Sequence, residues 1–189
     1  SQEYDGKVQV ANNQRISVTQ RRSVMDAHRM AEEGMEAAAI REFLEKDKFN
    51  SSIYIMLDTL TYLKKGGRIT PAAAALGTFL RLKPVLTIQG EKLDAFAKAR
   101  TTASGRQIMI NAAKNDVTKR FGRPLENCGI WVDIAHTDNE EAARDFQREL
   151  LEIFPGAQSH IDPLSLSVAC HIGPGSLAVA LTVRNDPEA

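Results

Sequence analysis

The sequence predicts an α/β fold with a mixed sheet and flanking helices, and three observations carry that reading. Apolar runs of strand length alternate with stretches of helical periodicity along the 189 residues, as in a sheet covered by helices. The run LAVALTV at 177–183 is apolar except for Thr182, the composition of a central strand. Two further strand-like runs, 84–88 and 92–99, meet at Gln89-Gly90 as a hairpin, which makes the sheet mixed rather than wholly parallel.

The elements follow in order. Residues 7–11 (KVQVA) read as a short alternating strand closed by Asn12-Asn13. Ser17 and Gln20 fit a capping box, and Val24, Ala27 and Ala31 repeat at helical spacing until Gly34. A second helix over 35–46 turns Ile40, Phe43 and Leu44 inward, and Asn50-Ser51-Ser52 marks a boundary. The expected domains are therefore 1–50 and 51–189. Residues 53–57 (IYIML) form a strand, after which Asp58 caps a short helix over 59–65 that Gly66-Gly67 end. Thr70-Pro71 opens a helix over 71–80. In the hairpin, Leu93, Ala95, Ala97 and Ala99 alternate as the buried side of one arm. A long helix covers 105–121, with Ile108, Ala112, Val117 and Phe121 near one face. A strand at 130–135 carries Trp131 as a core residue. Asp138 and Glu141 cap a helix whose buried stripe is Ala142, Phe146, Leu150 and Phe154. A strand at 157–161, a short helix at 165–170 and the strand at 177–183 close the chain.

Composition excludes several function classes. Hydrophobic residues make up 43% and charged residues 25%, the balance of a folded globular chain. Lys+Arg and Asp+Glu are both 24, so nothing calls for nucleic acid as a partner. No apolar run approaches the roughly 18 residues of a membrane span, and stable membrane insertion is not expected. Cys128 and Cys170 have neither a disulfide framework nor metal-ligand spacing and read as reduced thiols of a cytoplasmic protein. His28, His136 and His160 have no partner histidine at ligand spacing, so no metal site is expected. Phosphate-binding Gly-Lys-Ser/Thr and Gly-x-Gly-x-x-Gly motifs are absent, and no cofactor is expected. The chain opens without methionine on the polar stretch SQEYDGK, which reads as a linker, a tag remnant or a cut site.

Three segments carry candidate chemistry. The first is YLKKGGRI at 62–69. A helix C-cap accounts for Lys64, Lys65 and one glycine, but not for Gly66 and Gly67 together followed by Arg68. The second is His171-Ile172-Gly173-Pro174-Gly175, where Pro-Gly suits a tight turn and the histidine stands near a helix end. The third is Lys98-Ala99-Arg100 at the end of the hairpin arm, which also fits the protection of an edge strand.

Together these segments resemble the DegV family of bacterial fatty-acid-binding proteins. The run LDTLTYLKKGGRI at 57–69 is similar to the family's signature. Leu76-Gly77, the Leu82-to-Leu86 run LKPVL, Gly90, Lys98-Ala99-Arg100 and His171-Ile172-Gly173-Pro174-Gly175 match in order. Asn12-Asn13 departs from the Asp-Ser or Asp-Thr that usually ends the family's early strand. The resemblance implies a two-lobed fold of which this sequence holds mostly the carboxyl-terminal lobe. It implies a non-enzymatic carrier that binds a long-chain fatty acid between the lobes and presents its carboxylate to a partner fatty-acid kinase. Arg68 and His171 match carboxylate-end positions, Gly66, Gly67, Gly173 and Gly175 shape their loops, and Arg100 matches a kinase-docking position. The family's amino-terminal serine and threonine contacts have no matching position here, and the chain by itself is expected to bind fatty acid weakly. Two other readings stay open. One is an enzyme for a small anionic substrate, with Arg68 as clamp and His171 as acid/base. The other is an interaction module whose glycine loops are purely structural.

Overall fold

The computed structural model describes Tyr4 and residues 7–67, 82–89 and 92–185. Six strands form one sheet: β1 (Ser51–Met56), β2 (Lys83–Gln89), β3 (Lys92–Ala99), β4 (Ile130–His136), β5 (Ile161–Pro163) and β6 (Leu177–Val183). Their order is β3-β2-β1-β6-β4-β5. The β1–β2, β2–β3, β1–β6 and β4–β6 pairs are antiparallel, and β4–β5 is parallel. The described helices are α1 (Ser17–Glu32), α2 (Ala37–Asp47), α3 (Thr61–Lys65), α4 (Thr102–Asn115), α5 (Glu140–Ile153) and α6 (Leu166–Ile172). The helix expected at 71–80 lies outside the described residues, as do Gly77 and Gly90.

Strand alternation divides the core into two layers. On one face Tyr54, Met56, Val132, Ile134, Val179 and Leu181 pack against Met109 of α4 and Phe146 and Leu150 of α5. Gly105 lets α4 lie close, because a Cβ there would stand 2.3 Å from the Met56 sulfur. On the other face Ile53, Ile55, Leu86, Ala178 and Ala180 gather with Val18 of α1, Leu63 of α3 and Ile172 of α6. This second layer holds the cavity described below.

Several local expectations change. Residues 7–11 form no strand. Their alternation lacks a neighbouring strand among the described residues, and an extended segment without a ladder gains nothing over hydrated backbone. The box at the start of α1 is made by Thr19 rather than by Ser17 and Gln20. The Ile16 N–H donates to Thr19 Oγ1 at 3.2 Å, and that hydroxyl donates to the Ile16 carbonyl at 2.7 Å. Asp58 does not cap α3: the Thr61 N–H donates to Thr59 Oγ1, and Asp58 pairs with Lys83 at 2.5 Å. A bulge in the hairpin separates Ala97 and Ala99 from Leu93 and Ala95. Val85 pairs with Ala97 while Leu86 pairs with Ala95, so Phe96 is the extra residue. Leu93 and Ala95 therefore join the second layer, and Ala97 and Ala99 the first. The long helix starts at Thr102, capped reciprocally by Thr101 and Ser104, and ends in a π-helical turn at Asp116–Arg120. Asp138 has φ 47° and no side-chain cap is made to α5, whose inward stripe begins at Ala143, with Ala142 only half-buried.

Trp131 is half-buried rather than core. The Arg22 guanidinium lies 3.4 Å from its ring centroid and forks onto Asp133, Nε to Oδ2 at 2.7 Å and Nη2 to Oδ1 at 2.6 Å. Both side chains of this pair are buried. Burial pushes the Asp133 carboxyl up, and Arg22 and the His160 N–H pull against that shift. The pair ties α1 to β4 across the second layer.

Candidate functional site

The second layer encloses a cavity of about 690 Å³, within the range of about 300–1,000 Å³ usual for small-molecule sites. Its floor is the sheet, and the strand registers give that floor a definite relief. One cross-strand row runs Leu93, Ile88, Ile53, Ala180; the next runs Ala95, Leu86, Ile55, Ala178, Ala135. The floor is thus high over β2 and β1 and low over β6 and β4, where the methyls of Ala178, Ala180 and Ala135 line the cavity. α1 walls one side with Ser17 and Val18, and α6 the other with Val168, His171 and Ile172. The cavity forms an apolar trough over Ile53 and Ile55 of β1, between α1 and α6.

Its two ends differ in charge. Where β1 begins, Arg15 lines the cavity, but its guanidinium is held by the Asp47 carboxylate and carbonyl, both at 2.7 Å. Gln14 and Ser17 at the same rim have φ of 51° and 55°, a left-handed backbone that costs energy for residues with a Cβ. Where β1 ends, the cavity meets His171 in the last turn of α6. Among the described residues none is hydrogen-bonded to the His171 ring, so it is available to an anion entering from the trough.

The two glycine segments meet at this end of the sheet. A Cβ on Gly66 would stand 2.6 Å from His171 Nδ1. One on Gly173 would stand 2.4 Å from the Tyr62 ring, and one on Gly175 would stand 2.7 Å from Asp58 Oδ2. Gly173 and Gly175 also both have φ 79°, where a side chain is strained. Gly67 has φ 63° with open space around it. Three of the four glycines are therefore contact points between the 58–66 segment, which includes α3, and the end of α6 with the loop after it. From the other side Thr137 grips that loop: its hydroxyl lies 2.6 Å from the Gly173 carbonyl and 2.5 Å from Ser176 Oγ. Asn139 Nδ2 donates to the Gly175 carbonyl at 3.0 Å.

Arg68 lies outside the described residues, so the structure brings His171 only to Gly66, two residues before it. Arg100 is exposed just past β3, at the same end of the sheet, since Ala99 pairs with Lys83 and Met56 with both Val85 and Leu177. Sequence reasoning missed Thr137, Ser176, Asn139 and Arg15, single polar residues with no motif around them. Among the described residues there is no cluster of His, Cys, Asp or Glu able to hold a metal, and no helix long and apolar enough to cross a membrane.

Comparison with known proteins decides the family. The DegV family profile matches residues 1–184. This chain belongs to the DegV family. A DegV domain-containing protein of Clostridium perfringens is 30% identical over 176 residues, covering 93% of this chain and 58% of its own length. A fatty-acid-binding DegV protein of Thermus thermophilus superposes with a TM-score of 0.84 at 30% identity, covering 96% of this chain and 63% of its own. A DegV-family structure from Ruminococcus gnavus, with vaccenic acid, gives 0.78 at 25% identity, over 95% of this chain and 62% of its own. The chain spans about three-fifths of the length of these relatives, and its mixed sheet with flanking helices is the DegV fold.

Proposed function

We propose that this DegV chain forms one wall of a fatty-acid site and acts as a carrier rather than an enzyme. The observation that supports this most is the trough itself: an apolar cavity of about 690 Å³ that ends at an unengaged histidine. A tail buried there contributes about 0.8 kcal/mol per methylene, on the order of 10 kcal/mol gross for a long chain. The carboxylate must then be paired at the His171 end, because a buried unpaired charge costs several kcal/mol. The Arg15 end does not serve, since its charge is already neutralised by Asp47. Arg68 joins His171 as carboxylate partner in this proposal, with Gly66, Gly67, Gly173 and Gly175 setting the shape of their loops.

The relatives support the ligand class, for the Thermus protein binds fatty acid and the Ruminococcus structure carries vaccenic acid. The reading places the carrier in the cytoplasm. Residues 1–50 are the remainder of an amino-terminal lobe and 51–189 the carboxyl-terminal one. A partner fatty-acid kinase receives the carboxylate end, and Arg100 is its docking charge, exposed at the same end of the sheet. Mass spectrometry of gently purified protein tests the ligand, with a co-purifying long-chain fatty acid as the expected result. Turnover of a small polar acid with no lipid present would favour the enzyme reading instead. Arg100→Ala tests the docking: lipid occupancy stays, while phosphate transfer slows and loses part of its salt dependence. Unchanged transfer at low and high salt removes Arg100 from the interface.

A further inference from the structure

His171 carries the polar end of the trough, yet no described residue hydrogen-bonds its ring. Its place is therefore set by its backbone and by packing on Gly66. Two residues later the chain is held by one buried hydroxyl. Thr137 Oγ1 donates to the Gly173 carbonyl at 2.6 Å and accepts the Ser176 N–H at 3.1 Å. Its only proton is spent on Gly173, so the contact with Ser176 Oγ at 2.5 Å must have the serine as donor. One donor and two acceptor sites are all in use. Backbone bonds support the same grip: the Gly175 N–H donates to the Thr137 carbonyl at 2.7 Å, and the Thr137 N–H to the Ser176 carbonyl at 3.2 Å. Asn139 Nδ2 holds the Gly175 carbonyl, and the Gly173 N–H closes α6 on the Ala169 carbonyl at 2.8 Å.

We propose that Thr137, with Ser176 and Asn139, is a positioning device that fixes His171 at the head end of the trough and so gives the site its preference for a carboxylate. This rests on the carrier reading above. Most of the apolar lining lies on the sheet and on α1, with only Val168 and Ile172 on α6, so loosening the clamp should affect the head group more than the tail. The clamp reads the ligand only through His171 and touches no ligand atom itself.

The test is equilibrium binding of radiolabelled hexadecanoate and of its methyl ester to delipidated protein, the ester having the same tail without the charge. Thr137→Val should weaken hexadecanoate by about tenfold, the size of one bond to a charged group, with ester affinity within about twofold of the parent. Thr137→Ser keeps the hydroxyl and should match the parent on both ligands. The His171 ring resonances should shift in the valine variant and not in the serine one. If Thr137→Val does not fold, Asn139→Ala removes only the Gly175 contact and should show the same split in weaker form. Equal losses for acid and ester would make the clamp a structural feature only and overturn the proposal, as would unchanged acid binding. Parent protein that binds acid and ester equally well would keep the tail site and refute a head-end role for His171. Parent protein that binds neither would remove the carrier reading and this inference with it.

Discussion

Gly66→Ala separates the role of His171 from the stability of its surroundings. Gly66 has φ −80° and ψ −4°, ordinary right-handed backbone, so alanine brings no conformational strain there and improves helix propensity. Its Cβ would instead stand 2.6 Å from His171 Nδ1 and 3.3 Å from Cε1. Those atoms are the far end of a rotatable side chain, so the ring moves aside, at about 0.5–1.5 kcal/mol if it leaves its rotamer well. Stability should thus change by about 1 kcal/mol or less. Ligand affinity should fall by about 1.5–3 kcal/mol, the worth of a hydrogen bond to a charged group, which is a loss of roughly 10- to 150-fold. Gly67→Ala is the control. Its φ of 63° penalises alanine by about 1–2 kcal/mol, yet no atom lies within 4 Å of the new methyl. That variant should lose stability, and its affinity should fall less than that of Gly66→Ala. Denaturant unfolding and calorimetric titration with a long-chain fatty acid read the two quantities on the same samples. If Gly66→Ala keeps full affinity, or both variants lose stability and affinity in parallel, His171 does not face the carboxylate.

Other outcomes follow from the rest of the structure. Arg22→Ala leaves Asp133 buried without its partner and should cost about 3–5 kcal/mol in denaturant unfolding, whereas Arg22→Met with Asp133→Leu should cost far less; the chain's single tryptophan, Trp131, reports the transition. Asp26 has its carboxyl raised above the ordinary 3.8, by burial first and then, on the same side, by the neighbouring Asp47 charge, with the Asn185 hydrogen bond opposing. A carboxyl raised on folding stabilises the native state below its unfolded pKa and loses that contribution as pH rises through the folded value. Asp26→Asn should therefore be neutral or stabilising at pH 7, and its advantage should vanish on acidification below about pH 4; thermal melts across that range check the sign. Ala180→Leu raises the low part of the floor beside Ile53, and should weaken binding of acid and methyl ester alike while the protein stays folded.

The fold was legible wherever a single element carried its own signal. The apolar runs LAVALTV and IYIML, the hairpin and the amphipathic stripe ending in Phe146, Leu150 and Phe154 all reappear, because burial on both faces makes a central strand apolar throughout and packing under a helix imposes period 3.6. The misses share a different cause. Whether 7–11 pairs depends on a neighbouring strand, which its own sequence does not specify. The four alternating residues of β3 look like one buried face, yet the bulge at Phe96 splits them, a consequence of how β3 meets β2. Trp131 reads as core by type alone, but Arg22 occupies its ring face from 109 residues away, a distance at which no local pattern operates.

The candidate site shows the same division. Gly66, Gly173 and Gly175 were conspicuous because each stands where another chain segment presses, and the physical reason appears only in three dimensions: a histidine ring, a tyrosine ring and a carboxylate occupy the space of the missing methyls. The polar residues that hold those glycines in place were silent. Thr137 and Ser176 are common types whose importance comes from burial and from sharing one hydroxyl between three partners. A glycine records a close approach in the sequence, because no other residue fits; a threonine that creates the approach records nothing, because serine or valine would fit the same space. That asymmetry makes Thr137 the more informative residue to mutate. The glycine variants test whether the loops touch, and the Thr137 variants test whether the touching does anything for a bound carboxylate.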